Sequence, residues 1–232
     1  MDALSDVRLR DRAALVGDVL VVADLHVGKG VSSNLELPVG DGADMVTRIE
    51  ALCERFEPDE VILAGDILHS FTSIPRLAEE TIEGIRDVTQ AVGADIVLIP
   101  GNHDTMLDVV WSGQTTPEYR IGETVVCHGH VEPVEGADRY VVAHDHPTIT
   151  IEGQRRPCYL AGDGVYEGAD LLVLPAFNRL LQGVSINEMS TSDFMSPLVC
   201  DVDALSPIVH DDTADETLVF PPLGEFRHQL RD

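Results

Sequence analysis

Five short apolar runs each lead into a histidine, an aspartate or an asparagine, and this pattern constrains the fold more than any other feature. Val19–Ala23 runs into Asp24-Leu25-His26, and Glu60–Ala64 into Gly65-Asp66-Ile67-Leu68-His69. Asp95–Ile99 leads to Gly101-Asn102-His103-Asp104, Thr124–Cys127 to His128-Gly129-His130, and Tyr140–Ala143 to His144-Asp145-His146. Seven of the nine histidines lie between His26 and His146. Apolar runs of this length, bounded by turn residues, read as buried strands. In an open α/β sheet the C-terminal strand ends converge on the crevice where ligands bind. A fold that brings five such ends to one edge gathers His, Asp and Asn there.

The intervening segments supply the helices. Asp41–Phe56 places Met45, Ile49, Leu52 and Phe56 on one helical face. Pro75–Ala91 carries Leu77, Ile82, Ile85 and Val88 and is expected to start at its proline. Leu15–Val16 and Val19–Ala23 read as two strands joined by a tight turn at Gly17-Asp18. The first hundred residues thus run strand, helix, strand, helix, strand, the pattern of a parallel α/β core. Beyond about residue 115, short β-like pieces follow at Glu118–Ile121, Thr124–Cys127, Tyr140–Ala143, Thr148–Ile151, Cys158–Leu160 and Leu171–Leu174. They are expected to form a second, largely antiparallel sheet, with Asp211–Glu216 as an exposed acidic loop. Residues 1–232 read as one domain.

Asp and Glu total 41 against 15 Lys and Arg, a formal net charge of −26, and Lys29 is the lone lysine. Such a chain is a poor general binder of anionic surfaces in ordinary salt. The carboxylates are spread along the whole sequence rather than gathered in a tail. An acidic partner-binding face is one reading; a halophile's surface is the one that the even spread and scarce lysine favour. In a salt-rich cytoplasm charges are screened within a few ångströms, and nucleic acid is again admissible as substrate. Cys53, Cys127, Cys158 and Cys200 are too far apart for a zinc ribbon or a disulfide framework and are expected to be free thiols. No secretory signal and no membrane span is read.

A lone histidine at a strand end is more often a hydrogen-bonded structural residue than a ligand, and a lone aspartate there is often a turn residue or cap. Five such groups together are hard to explain as turn chemistry. In Asp24-x-His26 and His144-x-His146 the i, i+2 spacing would point both side chains the same way on an extended strand. Mixed imidazole and carboxylate donors suit manganese, iron, zinc or nickel.

The ordered set DxH, GDxxH, GNHD, HGH and HxH resembles the calcineurin-like metallophosphoesterases. More narrowly, the GDILHSF segment and Val173-Leu174-Pro175-Ala176-Phe177-Asn178 resemble the small archaeal ICC-like phosphoesterases, relatives of the SbcD-type nucleases. The resemblance implies a four-layer αββα sandwich of two mixed sheets flanked by helices. It also implies two divalent metal ions, manganese first, with iron, zinc or nickel as alternatives. Asp24, His26 and His146 would bind the first metal, and Asp66 would bridge both. Asn102, His128 and His144 would bind the second. His103 would protonate the leaving oxygen or stabilise charge on the phosphate, with Asp104 holding its ring. Two such cations clamp a phosphate and activate a hydroxide for in-line attack, and an imidazole titrates in a range suited to protonating the leaving group. Ala143 stands where the family usually has a glycine.

The implied activity is phosphodiester hydrolysis by a cytoplasmic enzyme, with DNA, RNA or a nucleotide as substrate. A phosphomonoesterase or a non-catalytic scaffold on the same fold are the alternatives. No membrane or protein partner is implied, and pairing of two copies through a sheet edge is left open. His69, His130 and Lys29 are candidate substrate contacts, with structural roles as the alternative. Arg155-Arg156 reads as a phosphate contact or a solvated turn, and Trp111 as a stacking platform or a packed core residue. Cys127 should point away from the metals.

Overall fold

The computed structural model describes residues 2–29, 41–69, 74 and 77–230. The chain opens with three antiparallel strands, β1 (Val7–Arg10), β2 (Ala13–Val16) and β3 (Val19–Ala23). Helix α1 (Asp41–Phe56), β4 (Glu60–Ala64), helix α2 (Ala78–Ala91) and β5 (Asp95–Ile99) follow. They form a five-stranded sheet in the order β1-β2-β3-β4-β5, in which β3, β4 and β5 are parallel. The alternation of these strands explains their unbroken apolar sequences. Leu20, Val22, Val61 and Leu63 face the helices, packing with Met45, Ile49 and Leu52 of α1 and Ile82 and Ile85 of α2. Val21, Ala23, Ile62 and Ala64 face the other way, into a second core. Strands buried on both faces need no polar side. Each of the buried α1 side chains contributes roughly 1.5–3 kcal/mol through its removal from water.

The sequence reading misses β1, whose VRLR segment is half arginine and lies at the sheet edge. The expected start of α2 at Pro75 lies outside the described residues; the helix runs from Ala78, after Leu77 in a left-handed conformation (φ 70°).

The second half builds from a short helix α3 (Leu107–Val110), β6 (Glu118–Ile121), β7 (Thr124–Cys127) and β8 (Arg139–Val142). Then come β9 (Pro147–Ile151), β10 (Gln154–Pro157), β11 (Tyr159–Tyr166), β12 (Ala169–Val173) and β13 (Val184–Ser185). Strands β14 (Ser206–Asp211) and β15 (Glu216–Val219) and a short helix α4 (Leu223–Phe226) complete it. Seven strands form one sheet in the order β15-β14-β11-β12-β8-β7-β6. This corrects the antiparallel expectation at the centre: β8 lies parallel to both β7 and β12. The parallel pairing sends the residues after β7, β8 and β12 out at one edge. A second correction concerns β9, which leaves this sheet for a separate three-stranded one, β10-β9-β13.

Four layers result. Val21, Ala23, Ile62 and Ala64 meet Val126, Val141, Ala143 and Leu172 between the two sheets. Tyr159 joins them and donates its hydroxyl to Ala13 O at 2.9 Å. The outer face of the second sheet is covered by Ile149, Ile186, Leu198, Leu223 and Phe226, from the small sheet, a loop and short helical turns. Long helices are replaced there because no stretch after residue 115 repeats apolar residues at helical spacing. The acidic loop is the β14–β15 turn, and its Asp215 pairs with Arg10 and Arg55 of the first half. Cys53, Cys127 and Cys158 are buried and Cys200 is exposed, all as free thiols. Among the described residues no helix is long and apolar enough to cross a membrane.

Candidate metal centre

The chemically active side chains leave the C-terminal ends of β3, β4, β5, β7 and β8. The backbone there is not extended. Asp24 (φ 54°), His26 (41°), Asp66 (44°), His144 (72°) and His146 (47°) all take left-handed conformations. Such values are uncommon outside glycine and cost of order 1–3 kcal/mol each where the surroundings impose them. The i, i+2 pairs therefore converge through kinked turns rather than through strand alternation, which corrects the sequence expectation.

The surroundings that impose these turns are specific hydrogen bonds. The loops after β3 and β4 stay paired, with Asp24 N–H donating to Gly65 O (3.1 Å) and His26 N–H to Asp66 O (2.8 Å). The Asp24 and Asp66 carboxylates reach across, accepting from the N–H of His144 (3.2 Å) and of His103 (2.9 Å). Asp104 accepts from the N–H groups of Ile67 (3.1 Å), Leu68 (2.8 Å) and Gly101 (2.8 Å). Its described hydrogen bonds thus fasten the Asp66 loop to the Asn102 loop, and it acts on His103 through charge. Asp145, between two candidate ligands, accepts from Met195 and Ser196 N–H. Asn178 donates to Leu25 O (2.8 Å) and His26 O (3.3 Å). Glycine is required at two positions. A Cβ on Gly65 (φ 82°) would lie 2.1 Å from His128 Nδ1, and one on Gly101 would lie 2.3 Å from the Asp66 amide nitrogen.

Two donor groups emerge, one of Asp24, His26, Asp66 and His146, the other of Asp66, His128 and His144. Within each, the donor atoms lie within 4.8 Å of one another. Asp66 is common to both: its Oδ2 is 3.5 Å from His26 Nε2, and its Oδ1 is 3.4 Å from His128 Nε2. The Asn102 amide oxygen lies 3.3 Å from the same His128 Nε2. His128 Nδ1 is 3.4 Å from Ala64 O, which favours the proton on Nδ1 and a free lone pair on Nε2.

Burial sets the electrostatics. It pushes the His26 imidazole down to about 3 and those of His128 and His144 down to about 4, so all three are neutral at neutral pH. Burial also pushes the Asp66 carboxyl up to about 7. For Asp24 burial acts upward, but the His146, His128 and His26 imidazoles outweigh it and hold the carboxyl below its usual range. For His146 burial acts downward, and Asp24 outweighs it and raises the imidazole.

The remaining candidates fall around this cluster. The His103 ring lies 4.9 Å from that of His26 between centroids, and its Nε2 is 3.8 Å from Asp66 Oδ2. His69 packs edge-on to His26 at 5.6 Å, and His130 lies 5.1 Å from His128. Lys29 donates its backbone N–H to His26 O at 3.1 Å. Trp111 is packed in the first core under Arg86, and Cys127 faces the outer core. The sequence reading left Asn178 without a role and passed over Arg48. Arg48 is buried, grips Asp11 with two nitrogens at 2.7 and 2.8 Å, and donates to Phe177 O at 2.8 Å. Their signal lies in contacts across more than a hundred residues.

Residues 17–174 match the family model described as calcineurin-like phosphoesterase. The chain belongs to the calcineurin-like phosphoesterases. No curated protein matches this phosphoesterase. Among solved structures it is similar to the Pseudomonas putida nuclease MPE, at 22% identity and a TM-score of 0.62, over 90% of this chain and 92% of the other. Yfce, a phosphoesterase from E. coli, aligns at 12% identity and a TM-score of 0.43, over 88% and 98% of the two chains. Calcineurin-like phosphoesterases work with divalent cations, and the donors here fit them. Asp24 Oδ1, both nitrogens of His26, His144 Nδ1 and His146 Nε2 are buried without a hydrogen-bond partner among the described residues. His146 Nε2 and Asp24 Oδ1 are 3.2 Å apart, close enough for their charges to act on each other. Buried polar atoms left this way cost about 1–3 kcal/mol each, a cost that ligation of a cation removes.

Proposed function

We propose that this chain is a dinuclear metal-dependent phosphodiesterase that cleaves nucleic-acid or nucleotide diesters. The observation that carries the reading is the division of Asp66, one carboxylate oxygen toward His26 and the other toward His128. A carboxylate so divided is suited to hold two cations side by side. Asp24, His26 and His146 would complete one site, and Asn102, His128 and His144 the other. Divalent cations bound there, manganese being the first to try, supply positive charge to the phosphate and acidify water. His103 stands at the open side of the cluster, its side chain 24% exposed, where its Nε2 can deliver a proton to the leaving oxygen. Asp104 supports that role by fixing the loop that carries His103. The similarity in fold to the Pseudomonas putida nuclease MPE supports a diester substrate.

The test is hydrolysis of an aryl phosphodiester with manganese, beside the corresponding monoester. His103→Ala is expected to keep its bound metal and lose at least about a hundredfold in kcat, the usual worth of a general acid. A fully active His103→Ala would remove the role assigned to it. Turnover of the monoester alone would move the assignment to a phosphomonoesterase.

A further inference from the structure

A cleft of about 400 Å³ opens beside His146, lined among others by Arg12, Arg155, Arg156, Ala176 and Gly183. None of its described lining residues is acidic. In a chain with 41 carboxylates and 15 basic side chains, three arginines gathered without an acid are not what an even spread would give. Most of the described arginines face carboxylates, as Arg10, Arg48, Arg55, Arg120, Arg139, Arg179 and Arg227 do. Arg12 and Arg155 form no ion pair among the described residues. Neutral oxygens hold them in place instead. Arg155 donates to Thr148 Oγ1 (2.9 Å) and Gly183 O (2.7 Å), and Arg12 to Ala176 O (3.2 Å) and Asn178 O (3.1 Å). Arg156 is half exposed and lies 3.8 Å from Asp211, an exposed pairing of small worth. Burial, then the like charges of Arg48 and Arg179, outweigh the neighbouring Asp11 and push the Arg12 guanidinium down to about 10. An anion would relieve that crowding. Farther out, beyond Arg156, the hollow continues where Asp11, Asp211 and Asp212 join Arg12, Arg156 and Arg179, so the stretch without carboxylates is the side next to His146.

We propose that this cleft is a subsite for the next phosphate of a nucleic-acid strand whose scissile phosphate sits at the metal centre. It rests on the phosphodiesterase reading. Oriented guanidiniums bind phosphate oxygens bidentately, and such contacts position a strand without reading its sequence. The carboxylates farther out in the hollow limit the grip to the phosphates nearest the cut.

The test is fluorescence anisotropy with a dye-labelled ten-nucleotide phosphorothioate strand, which resists cleavage, in manganese over a range of salt. The proteins are wild type, Arg155→Ala, Arg156→Ala and Arg55→Ala, the last replacing an exposed arginine paired to Asp215. Arg155→Ala and Arg156→Ala are each expected to weaken binding about tenfold relative to Arg55→Ala, and to lower the salt slope by about one. Arg156 is exposed and anchors nothing, so its substitution keeps the test valid if Arg155→Ala loosens the β9–β10 pairing. In turnover, the loss on an oligonucleotide should exceed the loss on the aryl diester about tenfold. Binding by both variants equal to Arg55→Ala overturns the subsite. Displacement of the strand by inorganic triphosphate as readily as by unlabelled strand, at equal phosphate concentration, overturns the assignment to a strand. Binding that depends on Arg155 and Arg156 in a protein that cleaves no diester would sink the catalytic reading and leave the subsite standing.

Discussion

Asp66 shows how much one buried carboxyl can decide. Burial raises it to about 7, so at neutral pH and without cations it is protonated about half the time. His146 is also raised, by Asp24 against the effect of burial, and so holds its proton to higher pH than a free imidazole does. His26, His128 and His144 are already neutral above about 4. Cation binding must therefore displace protons from Asp66 and His146 as pH falls below 7, while the other three imidazoles release none. Manganese affinity, measured by titration at pH 5.5, 6.5 and 7.5, is expected to rise with pH across that range, by up to about tenfold per unit for each proton displaced. An affinity independent of pH across that range would contradict this account of the site. The candidate ligands were legible in the sequence because each ends an apolar run and their order forms a family pattern. What Asp104, Asp145 and Asn178 do was not, because they bind backbone groups of loops distant in sequence. The left-handed turns at Asp24 and His146 were hidden for a related reason: these are not glycines, and the fold imposes the conformation.

At the scale of elements, strands β3, β4 and β5 and helix α1 were legible because both faces of each strand are buried and the α1 stripe keeps a helical period. The parallel placement of β8 was not, since four buried residues carry no mark of strand direction. Nor was the loop after β12. There Phe177 N–H donates to Ala23 O at 2.8 Å and its ring lies under Arg48, with the guanidinium carbon 3.8 Å from the ring centroid. Arg48 thus ties α1 to the β1–β2 turn at Asp11 and to the loop that Asn178 fastens to the backbone at Leu25 and His26. Arg48→Ala strands the Phe177 carbonyl and leaves the Asp11 carboxylate with the exposed Arg179 as its remaining ion-pair partner. It is expected to destabilise the fold by about 3 kcal/mol, since breaking a buried ion pair costs roughly 3–5 kcal/mol and Asp11 is partly exposed. Urea denaturation measures it; a change below about 1 kcal/mol would show that the contact does not fasten these elements.

At the scale of the whole molecule the net charge of −26 dominates. Its self-repulsion opposes the compact state and weakens as salt shortens the screening length from about 10 Å at 0.1 M to about 3 Å at 1 M. Raising potassium chloride from 0.1 to 2 M should stabilise the fold by about 2 kcal/mol, read as a rise of roughly 4–8 °C in the thermal midpoint. A midpoint that stays flat or falls would mean that self-repulsion of the acidic surface does not limit the stability of the fold. The central claim, that five strand ends assemble two adjoining cation sites around one shared carboxylate, is tested most directly by native mass spectrometry of the intact chain in manganese. The wild type should carry two cations per chain, and Asp66→Asn should lose both at the same manganese concentration. Saturation of the wild type at one cation, or two cations still held by Asp66→Asn, would contradict it.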